Sequence, residues 1–289
     1  FIGDVHDLLE LPADDARRQT VRLANPLAED APYLRTSVLD SLVDVARRNV
    51  SRGLTDVAVF EVGSVTHPAG TVPAPIPGTG NRPSDAELAA LRAGIPAQPT
   101  HVGAVMTGEH ERSGVLGTGR PWDWADAVEV VRTVAGALGV EVAVSAPEQP
   151  HAPWHPGRTA EIRKEIEPGT LVAHAGELHP RVVRALGLPE RACAVEIDLD
   201  PLLEAARSVG ALQVKPVSTF PAAKEDIALV VDEAITAAQV EDLVRQAAGD
   251  LAEEVRLFDV FRGAQLGEGK KSLAVSLVLR APDRTLTAE

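Results

Sequence analysis

The sequence has almost no cysteine and few aromatic residues. Its 289 residues include one cysteine, Cys193, and aromatic side chains make up 3% of the chain. One cysteine excludes a disulfide framework and a cysteine-based zinc site, and we predict that Cys193 is a small buried side chain. No stretch approaches the roughly 20 consecutive apolar residues that a membrane span needs. The start, Phe1-Ile2-Gly3, is neither an initiator nor a signal peptide, so we expect a fragment of a cytoplasmic protein.

Basic residues are scarce relative to acidic ones. The 28 Lys and Arg residues face 42 Asp and Glu residues, which gives a net charge of −14. This charge opposes non-specific attraction to phosphate backbones, so any contact with nucleic acid must depend on a local basic surface. The chain is 45% hydrophobic and 24% charged. That composition is typical of globular proteins, and the length fits two domains.

Hydrophobic periodicity in the first two thirds of the chain predicts an α+β arrangement of helices and separated strands. A Pro- and Gly-rich segment, residues 67–100, predicts a long surface loop or insertion, in which Ser84 begins a short helix that ends near Ala93. The predicted helices cover residues 39–50 and 127–138, and the predicted strands cover residues 56–62, 102–107, 140–145, 171–177 and 192–197.

The remainder of the chain has a cleaner pattern. A strand over 226–231 precedes a capping box, Thr236 to Gln239, that opens a helix. Strands over 255–261 and 272–279 follow, joined by a Gly-rich turn. The order strand, helix, strand, strand begins a ferredoxin-like unit. Because Thr287 would cap a second helix, we expect this module to be truncated before its last helix and strand.

Ten short segments, in this order, resemble the C-terminal part of the beta subunit of bacterial phenylalanyl-tRNA synthetases. They run from residue 25 to residue 287 and together are far more specific than any one motif. The segments are Asn25-Pro26-Leu27, Leu34-Arg35-Thr36-Ser37, Phe60-Glu61-Val62-Gly63, His155-Pro156-Gly157-Arg158, Gly176-Glu177-Leu178-His179-Pro180, Phe220-Pro221, Asp226 to Val231, Leu257 to Phe261, Gly267 to Leu273 and Ala281 to Thr287.

The resemblance implies two domains and a set of partners. Residues 1–210 would form a non-catalytic domain with the class II synthetase fold, an antiparallel sheet flanked by helices. Residues 211–289 would form a ferredoxin-fold anticodon-binding domain. The implied partners are a catalytic alpha subunit, in an alpha2beta2 tetramer, and tRNA(Phe). ATP and Mg²⁺ would serve the alpha subunit and upstream regions during attachment of phenylalanine to tRNA, and this chain would bind no cofactor.

The residues that class II catalysis needs are largely missing. Adenylation requires arginines that clamp the phosphates of ATP, yet the segment Phe60 to His67 lacks the arginine of the second class II motif. The third class II motif, a Gly-rich strand followed by a Glu-Arg pair, is also missing. Glu190-Arg191 follows Pro189 in a turn-like segment rather than a Gly-rich strand. We therefore predict no catalytic residue, and expect Arg35 to bond a neighbouring backbone group or carboxylate.

Four histidines are possible metal ligands by residue type, but their sequence contexts do not support a metal site. Two of them precede prolines in turn-like contexts, and neither an HExxH motif nor a cysteine partner exists. We predict no metal ligand among them. The four are His151, His155, His174 and His179.

A local basic surface is predicted near the C-terminus. Residues 256–284 contain six basic and three acidic residues. Alternation puts Arg256, Phe258, Val260 and Arg262 on one face of their strand. On the next strand, one face carries Ser272, Ala274, Ser276, Val278 and Arg280, and the leucines face the other way. If the leucines of the latter strand pack on helices, the opposite face is open, as in sheets that bind unstacked RNA bases. The predicted RNA-binding residues are Arg256, Phe258, Arg262, Lys270, Lys271, Arg280 and Arg284.

Several alternatives remain open. From pattern alone, Phe258 is equally a core residue. Ferredoxin-like modules also bind amino acids, so a small-molecule regulatory module on a pseudo-synthetase scaffold is the main alternative function; an independent class II ligase is the other. Trp122 and Trp124 are either core or a docking surface, and the apolar face from Leu39 to Val50 suggests a contact with the alpha subunit.

Overall fold

The computed structural model of the chain describes residues 2–3, 5–68, 72, 74–115, 117–164, 169–210 and 218–286. It divides into two units, Phe1–Ala211 and Leu212–Glu289. The start of the predicted second domain, residue 211, and the predicted helix cap at Thr287 lie outside the described residues.

The first unit contains ten strands and five α-helices among its described residues. In chain order they are β1 (Val21–Arg22), β2 (Tyr33–Leu34), α1 (Leu39–Ser51), β3 (Val57–Ser64), α2 (Asp85–Ala93), β4 (Thr100–Thr107), β5 (Glu109–Glu111), β6 (Arg120–Pro121), α3 (Trp124–Ala137), β7 (Val142–Ser145), β8 (Trp154–Lys164), β9 (Leu171–Leu178), α4 (Pro180–Leu186), β10 (Cys193–Asp198) and α5 (Leu199–Val209).

A six-stranded sheet organises the first unit. Its strand order is β3-β4-β10-β9-β8-β7, and every neighbouring pair is antiparallel. Helix α1 packs on β3 and β4, while α3 packs on β8, β9 and β10, and α5 packs on β4 and β9. This confirms the predicted antiparallel sheet flanked by helices. Short pairs β1-β2 and β5-β6 form two separate ribbons.

Helix α1 explains how one face of this sheet is covered. Its apolar side, including Leu39 and Val43, is buried in a cluster with Val105 of β4. At Gly103 a side chain would collide with Val38 and Leu42, so glycine allows the helix to lie directly on the strand. The other face carries a second cluster, in which Cys193 is fully buried, as predicted. Burial raises the pKa of that thiol to about 12.

The Pro- and Gly-rich segment follows its prediction where it is described. Helix α2 starts at Ser84, whose hydroxyl accepts a hydrogen bond from the Glu87 amide while the Glu87 carboxylate accepts one from the Ser84 amide. This reciprocal pair satisfies two amides that have no partner within the helix. No residue of α2 is buried, so the helix lies on the surface.

The second unit has the predicted order strand, helix, strand, strand. Its elements are β11 (Ala223–Asp232), α6 (Ala237–Ala248), β12 (Ala252–Phe261) and β13 (Lys270–Leu279). The strands form an antiparallel sheet in the order β11-β13-β12. Thr236 and Gln239 form the predicted capping box at the start of α6. Val240 and Val244 of α6 pack on Leu273 and Val275 of the central strand.

No helix in the described part of the chain has the length and apolar character needed to cross a membrane.

Candidate functional site

One face of the three-stranded sheet in the second unit has no helix over it among the described residues. Along β13, Leu273, Val275 and Leu277 are buried toward α6, whereas the alternate residues are only partly buried. The predicted leucine face therefore packs on the helix. The other side, which we call the open face, carries Ser272, Ala274, Ser276 and Val278 from β13.

A β-bulge changes which residues of β12 lie on the open face. Leu257 pairs with Val275 and Asp259 pairs with Ala274, so Phe258 is an extra residue in the ladder. Because side chains alternate, one extra residue reverses the faces beyond it. The prediction that Val260 shares a face with Arg256 is therefore wrong, because Val260 lies opposite Leu273, on the helix side. Phe261, opposite Ser272, is on the open face instead.

The open face exposes aromatic side chains above a floor of small ones. Phe258 is 53% exposed and Phe261 is 42% exposed, so the alternative that Phe258 is a core residue is excluded. On the central strand, Ala274 lies between Ala228 of β11 and Asp259 of β12. Small residues leave room above the backbone, and exposed rings are surfaces on which nucleic-acid bases stack.

Of the seven predicted RNA-binding residues, Arg256 is the most available. It lies opposite Ser276 on the open face, is exposed, and forms no hydrogen bond or ion pair with any described residue. Asp226 lies on the other side of Ser276 in the same cross-strand row, so the local field is mixed in sign. Arg256 is a charged group that a phosphate could engage without first breaking a contact.

Two of the predicted lysines and one arginine already have acidic partners. Arg262 forms a forked ion pair with Glu233, the shortest N–O distance being 2.6 Å, and Lys270 pairs with Asp232 at 2.6 Å. The hydrogen bond from Arg262 lowers the pKa of Glu233 and in turn raises that of Arg262. Lys271 is buried, and its ammonium donates to the Glu233 carbonyl at 2.8 Å. Lys271 thus lies on the helix side, away from the open face.

The last two predicted residues lie at one end of the sheet. Arg280 donates to Glu253 at 2.7 Å and to the carbonyl of Phe220 at 2.6 Å. Arg284 is exposed and pairs with its neighbour Asp283. The structure brings Arg256 and Phe258 together on the open face, whereas Lys271 faces away and Arg280 holds the chain that enters β11.

A cavity of about 270 Å³ lies on the sheet of the first unit and is lined by histidines and acids. Glu196 accepts hydrogen bonds from the Ser37 hydroxyl at 2.7 Å and the Val38 amide at 3.0 Å, and it lies 3.0 Å from His101 Nδ1. Burial alone would raise the pKa of Glu196, but these contacts outweigh burial and lower it.

This cavity does not carry a phosphate clamp. Its one arginine, Arg17, is engaged by Asp15 and by the carbonyl of Ala152. Across the described residues, no three His, Cys, Asp or Glu side chains are placed to share a metal ion. We assign no reaction step to Mg²⁺ in this chain.

Arg35, Trp122 and Trp124 are the other residues of the first unit for which the sequence predicted a contact. Arg35 pairs with Glu61 at 2.6 Å and donates to the Ser64 carbonyl, which confirms its expected structural role. Trp122 is half-buried beside α3, and Trp124 is partly exposed.

The prediction that the apolar face of α1, from Leu39 to Val50, docks the alpha subunit is wrong, because this face packs in the unit's own core. Exposed apolar side chains lie instead on β3, an outer strand of the sheet, where Phe60 is 76% exposed and Val62 is 55% exposed. Sequence alternation alone contained this signal, since Phe60 and Val62 share one side of the strand.

Two protein families match the chain. Residues 3–199 match the family described as "Phenylalanyl tRNA synthetase beta chain CLM domain". Residues 218–289 match the "Ferredoxin-fold anticodon binding domain". The second match includes β11, α6, β12 and β13, and so contains the open face.

Three similar curated proteins have the same name. The chain is 51% identical to the phenylalanine–tRNA ligase beta subunit of Thermobifida fusca (strain YX), over 98% of the chain and 34% of the relative. It is 48% identical to the beta subunit of Streptomyces avermitilis, over 100% of the chain and 35% of the relative. The corresponding protein of Corynebacterium efficiens is 47% identical over 99% of the chain and 33% of the relative. The chain thus spans about a third of the length of these relatives.

Proposed function

The chain belongs to the phenylalanyl-tRNA synthetase beta subunit family, and from this we propose that it is a non-catalytic, tRNA-binding part of phenylalanine–tRNA ligase. Residues 1–210 act as a class II-like scaffold, and residues 211–289 act as the anticodon-binding domain. Attachment of phenylalanine to tRNA, with ATP and Mg²⁺, occurs on the alpha subunit, in the cytoplasm.

The open face of the second unit carries the proposal for tRNA binding. Its exposed rings, Phe258 and Phe261, lie over small residues in a segment that matches an anticodon-binding family. An anticodon is a loop whose bases are free to stack on aromatic side chains. Arg256 supplies a free guanidinium beside the rings for a backbone phosphate. Arg262 and Lys270 lie at the rim and contribute after they exchange their acidic partners for phosphates.

The exposed stripe of β3 supports a proposal for the alpha subunit. Phe60 and Val62 are large apolar side chains that water contacts on an outer strand, and exposed apolar patches of this kind mark protein interfaces. We propose that the alpha subunit covers this stripe in an alpha2beta2 assembly.

Binding to tRNA(Phe) tests the proposal. Filter binding of the chain is compared for wild type, Arg256→Gln and Arg207→Gln, with tRNA(Phe) and with a version altered in its anticodon, at two salt concentrations. Arg207 is an exposed arginine of the first unit and controls for the loss of one charge. We expect Arg256→Gln, but not Arg207→Gln, to weaken binding and to reduce its salt dependence, because one phosphate contact is lost.

Two outcomes would contradict the proposal. If both tRNAs bind with the same affinity, the open face does not read the anticodon. If no tRNA binds, and a free amino acid binds with an affinity that salt does not change, the small-molecule regulatory module is the better description, since neutral ligands release no counterions.

A further inference from the structure

A second cavity of the first unit, of about 380 Å³, has no role in the proposed function. It lies where β8, β9 and α4 meet. Its polar lining includes three arginines, whereas the sheet cavity described above is lined mainly by histidines and acids. The residues that matter for its chemistry are Arg158, Glu177, Leu178, Val183, Arg184 and Arg191.

A wide bulge in β8 places the first arginine. Trp154 pairs with Leu178 and Thr159 pairs with Gly176, so four residues of β8 lie opposite the single residue Glu177. The four are His155-Pro156-Gly157-Arg158. The bulge is closed by a hydrogen bond from the Thr159 hydroxyl to the His155 carbonyl at 2.7 Å. Its last residue, Arg158, donates through Nε to Glu177 at 2.6 Å.

Glu177 positions two arginines at once. Its carboxylate is 1% exposed and also accepts hydrogen bonds from Arg191, the shorter at 3.0 Å from Nη2. Arg191 has a φ of 62°, a left-handed conformation that residues other than glycine adopt rarely. The buried carboxylate and the turn together therefore hold the Arg191 guanidinium at the cavity. The hydrogen bond to Glu177 also raises the pKa of Arg191, so the group stays charged.

Donors remain unused after these contacts are made. Arg158 bonds Glu177 through Nε, and Arg184 bonds the Pro180 carbonyl through Nε at 3.3 Å. Their terminal Nη groups have no hydrogen-bond partner among the described residues, and both side chains reach solvent. The carboxylates at this cavity are Glu177 and the exposed Glu190, so three guanidiniums outnumber two acids in a chain that is otherwise strongly acidic.

We infer that this cavity binds a phosphoryl group. Guanidinium forks match the oxygens of a phosphate in geometry and charge, and they stay protonated at any physiological pH. The apolar wall formed by Leu178 and Val183 suits a less polar portion of the same ligand, and the volume is in the range of small-ligand sites. The phosphoryl group belongs either to a free nucleotide or to the backbone of a bound RNA, and the two sources are separable by experiment.

Arg184→Ala tests the inference with little risk to the fold, because Arg184 is exposed and bonds only its own helix. The matched control is Arg207→Ala, which removes an exposed arginine from α5 of the same unit. Isothermal titration of the full chain uses inorganic phosphate, adenosine 5′-monophosphate and adenosine, and filter binding uses tRNA. Arg158→Lys is a second variant: it keeps a cation beside Glu177 but loses the fork.

The inference predicts that the monophosphate binds and adenosine does not. Arg184→Ala should weaken binding roughly 10-fold, the effect of losing one charge-assisted hydrogen bond, and Arg158→Lys should weaken it as well, while Arg207→Ala should not. If neither phosphate nor the monophosphate binds but Arg184→Ala selectively weakens tRNA binding, the phosphoryl group is that of the RNA backbone.

The inference is overturned if adenosine binds as tightly as the monophosphate. It is also overturned if Arg184→Ala and Arg207→Ala have equal effects, or if no phosphate-bearing probe binds and tRNA affinity is unchanged. A chain that binds no tRNA at all refutes the proposed function of the open face, whereas the phosphate and monophosphate titrations still decide this inference.

Discussion

Mild acid should destabilise the first unit through one partly buried histidine, His174, whose side chain is 16% exposed. His174 stacks on His151 with ring centroids 4.1 Å apart and lies 5.2 Å from Trp154. Burial, followed by the charge of His151, lowers the pKa of His174 to about 4. Between pH 6.5 and 4, His174 is protonated in the unfolded chain but neutral in the folded chain. The free energy of unfolding therefore falls as the pH falls.

The expected loss follows from the size of the pKa change. At about 1.4 kcal/mol per pH unit, lowering the pKa of His174 from 6.5 to about 4 costs about 3 kcal/mol of stability once the pH reaches 4. The pKa of His151 is also lowered, mainly by burial, so the two rings act together. Hydrogen bonding to Arg17 lowers the pKa of Asp15 to about 2, which affects stability only below about pH 4.

Urea unfolding at pH values from 7 to 4.5, followed by tryptophan fluorescence, measures this loss, because all three tryptophans belong to the first unit. His174→Phe keeps a ring in the stack and should flatten the pH dependence by about half or more. His110→Phe is the control, since His110 stacks on Trp122 at an exposed position. Equal losses of stability by His174→Phe and wild type between pH 7 and 4.5 would show that His174 does not cause the pH dependence.

Three other substitutions test the packing and capping described above. Leu273→Ala removes a buried side chain of the second unit and should lower the free energy of unfolding by about 2–5 kcal/mol. Urea unfolding, monitored through the hydrogen exchange of β13 amides, measures this loss. Leu243→Ala, at an exposed position, should cost far less. Thr236→Ala removes the cap of α6 and should cost about 1 kcal/mol by the same measurement; an unchanged midpoint would contradict the cap. Gly103→Ala forces a methyl group against α1 and should cost about 1–3 kcal/mol by tryptophan fluorescence, and full stability would show that the helix does not lie so close.

Periodicity and capping residues predicted most of the fold. The helix over 127–138, the capping boxes at Ser84 and Thr236, and the strand-helix-strand-strand order all appear in the structure. These features are local, since a cap or an alternating strand is specified by residues within one turn or a few positions of each other.

The longest strand of the first unit was missed because its sequence contains turn residues. Pro156 and Gly157 interrupt the pattern of β8, and we interpreted them as a turn. In the structure they form a bulge that is held by pairing with β9 on both sides. Pairing with a strand that lies some 15 residues later in the chain overrides the local signal, and nothing within the segment itself specifies that partner.

The residues of the open face were predicted correctly on β13 and incorrectly on β12, because only β13 alternates without a bulge. Strand β13 alternates without interruption, so its buried and open sides follow from the sequence. Strand β12 contains an extra residue at Phe258 that reverses the faces of Val260 and Phe261. The ion pairs of Arg262 and Lys270 also depend on contacts between distant strands, which alternation does not encode.

The most direct test of base stacking on the open face is the affinity of tRNA(Phe) for Phe258→Ala, measured by filter binding. The matched control is Phe60→Ala, which removes an equally large and even more exposed ring from the first unit. A base stacked on an aromatic side chain contributes about 1–3 kcal/mol, so we predict roughly 5- to 150-fold weaker binding for Phe258→Ala and no change for Phe60→Ala. Equal affinity of wild type and Phe258→Ala would contradict the claim that the open face binds unpaired bases.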